Sequence, residues 1–233
     1  MLSPNYLGDD AYSLAAVPYI RITNGERFVA SVQEGVKFSA IDGNRFRAGP
    51  RASVEFSRQE DGGSTFRIAG ERTSDLIGLG DIDTSLSFGG FAELDFGNFT
   101  ASANLGQAVT GHEGLSGELA VNYSGTVRRR GPPIIYSLGP KLNFADDTYQ
   151  NAFFGINAVQ SGASGLSEFE ASGGVVSYGA SATVIVPLND KIATTLIGSY
   201  SRLTGDAARS PLVEERGSND QGFLGLVMTY SFN

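Results

Sequence analysis

The sequence predicts an all-β protein: a closed antiparallel transmembrane β-barrel of 10–12 strands, with short periplasmic turns and long extracellular loops. Segments in which apolar and polar residues alternate recur along almost the whole chain, and helical periodicity is hard to find. Several segments exceed the roughly five or six residues of a typical soluble strand. Because strand side chains point alternately to two faces, each segment has one apolar and one polar face.

The composition excludes several classes of protein. No run approaches the ~18 apolar residues that a membrane-spanning helix needs. Cysteine is absent, so no disulfide framework and no thiolate site is available. The net charge of −8 argues against nucleic acid as a partner, since phosphate binding needs clustered cations. The cationic cluster Arg128–Arg130 precedes Gly-Pro-Pro and is predicted to be a turn.

Ten strands can be identified in order. The clearest is 46–58, where Phe46, Val54 and Phe56 share the apolar face and Arg47 lies on the other. A tilted strand needs ~9–11 residues to cross a bilayer, which this segment exceeds. Phe91 and Ile197 break the alternation of their segments. The ten predicted strands are 13–22, 27–40, 46–58, 85–96, 99–109, 115–124, 134–144, 176–186, 191–201 and 221–232.

The connections fall into two classes that alternate along the chain. Residues 42–44, 97–98, 130–132 and 189–190 have turn compositions. The other connections, 59–83, 110–114, 145–172 and 205–221, are mostly long. If the C-terminus is periplasmic, every short turn lies on that side and every longer loop outside, as in outer-membrane barrels.

The number of strands is left open. Ten strands give an even barrel only if 23–26 is an extracellular turn. If residues 1–12 are instead an external loop after a missing first strand, the count rises to twelve, with a break near Gly35. Such a barrel is narrow, and either a small pore or a plugged interior is possible.

In a membrane, the apolar face must contact lipid and the polar face must line the interior, because unpaired backbone and charge are costly in hydrocarbon. The predicted interior charges are Arg47, Arg51, Glu55, Glu93, Glu118 and Lys141. A soluble lipocalin-like barrel would invert this arrangement, and periodicity alone does not separate the two. Strand length, loop asymmetry and the aromatic C-terminus favour the membrane.

The last strand carries Gly225, Tyr230 and Phe232, and we expect it to be the signal recognised by the barrel-assembly machinery. Residues 1–4 lack the charged and apolar regions of a signal peptide. We therefore expect one outer-membrane barrel domain over residues 1–233, from which the signal peptide and, in the twelve-strand alternative, the first strand are absent.

No catalytic, cofactor or metal site is predicted. His112, Ser116 and Glu118 are the parts of a hydrolase triad. However, Ser116 lies about 13 Å from His112 along an extended strand and on the inner face, so a loop histidine is favoured. Acidic loop residues could bind Ca²⁺, but solvated loop charge is favoured for Glu60, Asp61, Asp75, Asp81 and Asp83.

Two loop features complete the candidates. Asp206, Arg209, Glu214, Glu215 and Arg216 could form an ion-pair network, although surface pairs contribute little. The loop 145–172 contains Tyr149, Phe153, Phe154 and Phe169. This loop either folds into the barrel mouth or contacts a partner, and the sequence does not decide between them.

Several motifs occur in order along the chain: PNYLGDDAY at 4–12, LIGLGDID at 76–83, GHEGL at 111–115, QSGASGL at 160–166, and YSRLTGDAA followed by SPLVEERGS at 200–218. Together they resemble the MipA/OmpV family of outer-membrane proteins. The resemblance implies a non-enzymatic barrel in the outer membrane of a Gram-negative bacterium. In the name-giving member the role is to bridge a lytic transglycosylase and a penicillin-binding protein during murein synthesis.

We therefore expect a scaffold for murein-remodelling enzymes. The alternatives are a small porin-like channel, favoured by the Gly- and Ser-rich inner face, and, remotely, an outer-membrane lipid hydrolase. The expected partners are outer-membrane lipid and lipopolysaccharide, the two cell-wall enzymes and the barrel-assembly machinery. No cofactor is expected.

Overall fold

The computed structural model describes residues 1–25, 27–32, 34–64 and 66–231. In this part of the chain, fifteen strands form one antiparallel sheet in the order β3-β4-β5-β7-β9-β10-β11-β12-β13-β14-β15-β1-β2-β8, with β6 on β7. The strands are β1 Leu2–Pro4, β2 Tyr12–Ala15, β3 Arg21–Asn24, β4 Phe28–Ser31, β5 Gly35–Phe38, β6 Ile41–Asp42, β7 Phe46–Glu55, β8 Arg67–Ala69, β9 Ser85–Phe96, β10 Phe99–Ala108, β11 Leu115–Arg129, β12 Gly131–Ala145, β13 Gly174–Pro187, β14 Ile192–Leu203 and β15 Asp220–Tyr230.

The predicted strands from residue 46 onward are confirmed. The eight long strands β7 and β9 to β15 have 10 to 15 residues each, which is enough for a tilted strand to cross a bilayer. Long strands that are adjacent in the sheet pair with each other over most of their length, as β13 does with β14 from Ser177↔Leu203 to Pro187↔Ala193.

The N-terminal quarter departs from the prediction, because its two expected strands are divided into shorter pieces. Residues 13–22 are shared between β2 and β3, and residues 27–40 between β4 and β5. The second break is at Gly35, which has a φ of +74° and whose missing Cβ would meet the Ala52 carbonyl oxygen at 2.1 Å. Glycine alone fits this turn, so the break expected near Gly35 for the longer strand count is present.

The predicted closure of the barrel is not seen. Among the described residues no pairing joins β3 to β8, the two ends of the ladder. Strand β15 pairs along the whole of β14 but meets β1 only at Leu2↔Leu224. The sheet is therefore of the barrel type with an open seam. The seam lies between β3 and β8, which are among the shortest strands of the described chain.

The two faces of the sheet are sorted as predicted for a membrane barrel. On β15, Leu224, Leu226 and Met228 share one face, and Leu226 and Met228 are 69% and 73% exposed. We call this exposed apolar side the outer face and the opposite side the inner face. The soluble alternative would bury these side chains inside, so the observed exposure contradicts it.

The connections also follow the prediction. The short turns predicted at 42–44, 97–98, 130–132 and 189–190 lie at one end of the sheet, the turn end, and the longer connections lie at the opposite loop end. The short connection between β4 and β5 is also at the loop end. The turn between β3 and β4 is not one of the loop-end connections, because β3 runs in the same direction as β5, away from that end. The condition for an even barrel of ten strands, an extracellular turn at 23–26, is therefore not met by the described residues, and Glu26 itself is outside them.

The loop end contains four helices that the alternation did not predict: α1 Asp147–Phe154, α2 Ala158–Ser164, α3 Gly205–Arg209 and α4 Pro211–Arg216. Local signals for them exist. Asp146 caps α1, Asn157 and Gln160 form a capping box on α2, and Pro211 begins α4. In the described part of the chain, no helix has the length and apolar character needed to span a membrane.

A capped polar cavity as the candidate functional site

The loops form a cap over the loop end of the sheet, and the cap has its own hydrophobic core. This core brings together residues that are distant in sequence and come from four loop segments: Tyr6, Leu76, Leu79, Ile156, Leu166 and Leu212. Burial of apolar side chains from all four segments holds the loops to one another. The cap is therefore a packed layer rather than a set of independent loops.

A second apolar cluster joins the cap to the strand ends. Phe154 of α1 is fully buried beside Val176 of β13, Leu203 of β14 and Val213 of α4. Tyr149 and Phe153 pack against the same cluster, whereas Phe169 packs against the core of the cap. The sequence left two roles open for the loop 145–172, and the structure places Tyr149, Phe153 and Phe154 against the strand ends at the mouth of the barrel.

Buried polar contacts fix the N-terminal loop to the last strand. The Gln221 side chain of β15 accepts a hydrogen bond from the Gly8 amide at 3.1 Å and donates to the Asp9 carbonyl at 3.2 Å. The Asp9 carboxylate is itself buried and accepts from the Asn5 side chain and the Ala11 amide. Burial raises the pKa of Asp9, although these two donors oppose the shift.

Below the cap lies a polar cavity of about 480 Å³. It is lined mainly by inner-face residues of six strands, among them Arg51, Glu55, Asn104, Glu118, Lys141 and Asn143. Four of the six charges predicted from alternation are therefore brought to one space. Tyr149 of α1 and Leu7 of the N-terminal loop are also part of the lining, so the cap forms part of the cavity wall.

The other two predicted charges, Arg47 and Glu93, belong to a separate network nearer the turn end. Arg47 Nη2 lies 3.0 Å from Glu93 and 3.8 Å from Asp95. Lys37 Nζ lies 3.8 Å from Glu93 and 5.6 Å from the ring centre of Phe91. Phe91, which broke the sequence alternation, therefore lies on the inner face beneath a cation. Lys37 was not among the predicted charges, because its segment is irregular.

His112 is buried at the junction of cap and sheet, with its side chain 0% exposed. Its Nδ1 accepts from the Gly114 amide at 3.0 Å, and its ring packs edge-on against Tyr149 at 4.8 Å. Its Nε2 lies 3.6 Å from a Glu55 carboxylate oxygen and makes no hydrogen bond in the described structure. Burial, and next the charge of Glu55, raise the pKa of Tyr149.

The three residues considered for a hydrolase triad, His112, Ser116 and Glu118, are not joined into one in the described structure. Ser116 lines the cavity, but no hydrogen bond joins it to His112 in the described chain, and the carboxylate facing His112 belongs to Glu55 rather than Glu118. A nucleophile and its base need hydrogen-bond contact. The arrangement is that of a buried loop histidine, which sequence spacing also favoured.

The acidic loop residues bind protein groups. Asp81 accepts from the Glu60 amide, Glu60 accepts from the Gly80 amide, and Asp61 pairs with Arg72. No group of three or more His, Cys, Asp or Glu side chains in the described ranges could hold a metal ion.

The suggested loop network forms only in part. Asp206 pairs with Arg209, whereas Arg216 donates to the Asp75 carbonyl at 2.8 Å. Glu214 and Glu215 make no ion pair within the described part. Arg58, which sequence reasoning missed, donates to the Phe153 carbonyl at 3.1 Å, and burial lowers its pKa to about 10.

Comparison with known proteins gives consistent matches. The family described as "MltA-interacting protein MipA" matches residues 1–232. Outer membrane protein Omp26La of Vibrio anguillarum is 24% identical over 162 residues, which cover 70% of this chain and 60% of the relative. Outer membrane protein OmpV of Vibrio cholerae serotype O1 is 29% identical over 91 residues, 39% of this chain and 34% of the relative. The matched regions thus span less than two thirds of either relative.

Proposed function

Because the chain belongs to the MipA family of outer-membrane proteins, we propose that it is a non-enzymatic scaffold that binds an MltA-type lytic transglycosylase at the periplasmic face of the outer membrane. The family description supplies the partner. A penicillin-binding protein is the second partner we propose, by the resemblance described above.

The feature that supports this proposal is a hairpin at the turn end. On one side of β11, pairing with β10 stops at Phe99↔Tyr123. Strands β11 and β12 continue to pair with each other as far as Arg129↔Gly131. The hairpin therefore extends past the neighbouring β9–β10 turn, into the space where a periplasmic partner would lie.

The tip of this hairpin is basic. Arg128, Arg129 and Arg130 are all exposed, and within the described chain none of them makes an ion pair. Arg129 is held in place by hydrogen bonds to the Pro132 and Pro187 carbonyls. Three exposed cations in a chain of net charge −8 are suited to an acidic patch on a partner, since complementary charge favours association and orientation.

The test is co-purification from detergent-solubilised envelopes with the full chain as bait. We expect the wild-type bait to retain a lytic transglycosylase. The double variant Arg128→Ser, Arg130→Ser should retain roughly several-fold less of this enzyme, because it lacks two of the charges that would contact the partner. Arg129 is left intact because it orders the tip. The matched control is Arg72→Ser, which removes an exposed arginine at the loop end. Absence of any lytic transglycosylase from the wild-type eluate would refute the scaffold.

A narrow channel is the second candidate, favoured by the polar cavity below the cap. For this role the cap must open, because its apolar cores cover the loop end. Planar-bilayer recordings on folded protein test it directly. Repeated recordings without unitary currents, both for the wild type and for a variant with the cap loosened by Phe154→Ala, would eliminate this candidate.

We further propose that residues 1–233 act as one barrel domain whose outer face contacts outer-membrane lipid and lipopolysaccharide. The end of β15 would serve as the signal for the barrel-assembly machinery. Gly225 lies on the inner face and Tyr230 on the outer face of that strand. Phe232 lies outside the described residues.

A further inference from the structure

The capped cavity holds four charged side chains that do not neutralise one another. Arg51 and Glu55 come from β7, Glu118 from β11 and Lys141 from β12. In the part of the chain that the structure describes, no ion pair joins any two of them. The Arg51 guanidinium donates to the Glu34 carbonyl at 3.2 Å, and a Glu55 carboxylate oxygen lies 3.6 Å from His112 Nε2.

No ion pair joins these charges in the described structure, although two of them are close neighbours in the sheet. Glu118 is opposite Asn143, and Lys141 is opposite Ala120, so Glu118 and Lys141 are diagonal neighbours about 7–8 Å apart at the backbone. Arg51 and Glu55 are four residues apart on one face of β7, or about 13 Å along the strand. One wall of the cavity, formed by β7, therefore presents one cation and one carboxylate at separate points, and the wall formed by β11 and β12 does the same.

The network near the turn end provides a contrast within the same protein. There, Arg47 and Glu93 meet at 3.0 Å on paired strands. The inner face thus supports direct ion pairs where the register brings opposite charges together. Charges that line a cavity without an ion-pair partner in the protein are available to a ligand of complementary charge.

Neutral polar groups complete the lining. Asn104 lies opposite Glu118 on the neighbouring strand, and Asn143 donates to Ser177 at 3.0 Å. His112 is not part of the lining, but its buried Nε2 has no hydrogen-bond partner in the described structure and lies 3.6 Å from Glu55. The volume of about 480 Å³ is within the range of small-molecule sites.

We propose that this cavity binds a small zwitterion, a molecule of amino-acid or dipeptide size with an ammonium group at one end and a carboxylate at the other. Arg51 and Lys141 bind the carboxylate, and Glu55 and Glu118 bind the ammonium group. A ligand with both charges provides a partner for the cations and for the carboxylates of the cavity. A singly charged ligand leaves either the cations or the carboxylates unpaired. This site is independent of the scaffold role, which concerns the opposite end of the sheet.

The probe is glycylglycine, titrated calorimetrically into the full chain folded in detergent micelles. Two analogues serve as matched ligands: N-acetylglycylglycine keeps the carboxylate alone, and glycylglycinamide keeps the ammonium group alone. We expect glycylglycine to bind at least about tenfold more tightly than either analogue, since each charge lost leaves a protein charge unpaired.

Variants assign the two ends. Lys141→Met is expected to weaken glycylglycine about tenfold and to leave glycylglycinamide nearly unchanged, while Glu118→Gln weakens both ligands. Lys191→Met, at the turn end, is the control and binds as the wild type does. Far-UV circular dichroism verifies folding, and Lys141→Gln replaces any Lys141→Met protein that fails to fold.

Two results would overturn the proposal. One is glycylglycine binding that is absent, or no tighter than that of its singly charged analogues. The other is binding that Lys141→Met and Glu118→Gln leave intact in folded protein. Neither result bears on retention of a lytic transglycosylase, so failure here is distinguishable from failure of the scaffold.

Discussion

Asp206 fastens two loops of the cap to each other through a single carboxylate. It accepts a hydrogen bond from the Ser172 amide at 2.8 Å and pairs with Arg209. The Ser172 amide, and next Arg209, lower the pKa of Asp206. Because Ser172 ends the long loop and Asp206 lies in α3, protonation of this one side chain loosens the contact between the two segments.

The sign of the pH effect follows from the direction of the shift. A carboxyl whose pKa is lower in the folded state stabilises that state above its unfolded pKa of about 3.9, and the contribution is lost as the pH falls through the folded pKa. We expect hydrogen exchange in 145–172 to accelerate relative to the strands as the pH falls below about 4. Asp206→Asn should accelerate exchange already at pH 6 and remove most of the pH dependence. Identical pH profiles in the two proteins would contradict the assignment.

Single residues also show how far alternation identifies a site. It selected Arg51, Glu55, Glu118 and Lys141, which the fold brings to one cavity. It also selected Arg47 and Glu93 with the same weight, although these two pair with each other elsewhere. Period-two patterning reports which face a side chain is on, whereas the partner of a charge depends on the register between strands.

At the level of elements, the long strands are specified by their own sequences. In β14, Leu196 and Tyr200 lie on the exposed outer face, and Thr195 and Ser199 on the inner face. Because this spacing fixes the face, a one-residue slip would place polar groups in hydrocarbon and apolar groups inside.

A paired substitution on β14 tests the assignment of faces. Leu196→Arg places a charge on the outer face near the middle of the strand and is expected to destabilise the folded barrel by roughly 2–4 kcal/mol. Thr195→Arg introduces the same side chain at the adjacent position, on the inner face, and should destabilise the folded barrel far less. Urea unfolding in lipid vesicles measures both variants. Equal destabilisation would mean that the two faces do not differ in their contact with lipid.

The cap helices were missed because they are short and have no clear helical periodicity in their sequences. Helix α2 has seven residues and contains no buried residue, so no apolar stripe distinguishes it. Its signal is in its ends, where Asn157 and Gln160 bond reciprocally and Gly165 adopts a left-handed conformation. A search for capping patterns inside the long loops would have found it.

For the whole molecule, the sheet is uneven in its pairing. The ladders on both sides of β13 are long, whereas β3 has four residues paired on one side in the described chain. Strands with one short ladder have few hydrogen bonds to break before they open. The short strands beside the seam are therefore the part of the sheet that unfolds locally at the lowest cost in free energy.

Amide hydrogen exchange of the protein in lipid vesicles measures this gradient. We expect amides of β3 and β4 to exchange at least about tenfold faster than amides of β12 to β14, because local opening there breaks fewer contacts. Strand β10 is the internal control, since it has 10 residues and is paired on both sides. Protection of β3 equal to that of β10 would show that the seam is closed under these conditions.

Taken alone, the sequence determined the class of fold, the face of each long strand and the end at which each connection between the long strands lies. These properties follow from local alternation, strand length and turn composition, all of which are set by residues that are close together in the sequence. The tertiary structure decided that the loops pack into a cap, that four of the predicted charges share one cavity without pairing, and that His112 faces Glu55 instead of Ser116. Each of these depends on contacts between residues far apart in the chain, for which no local pattern exists.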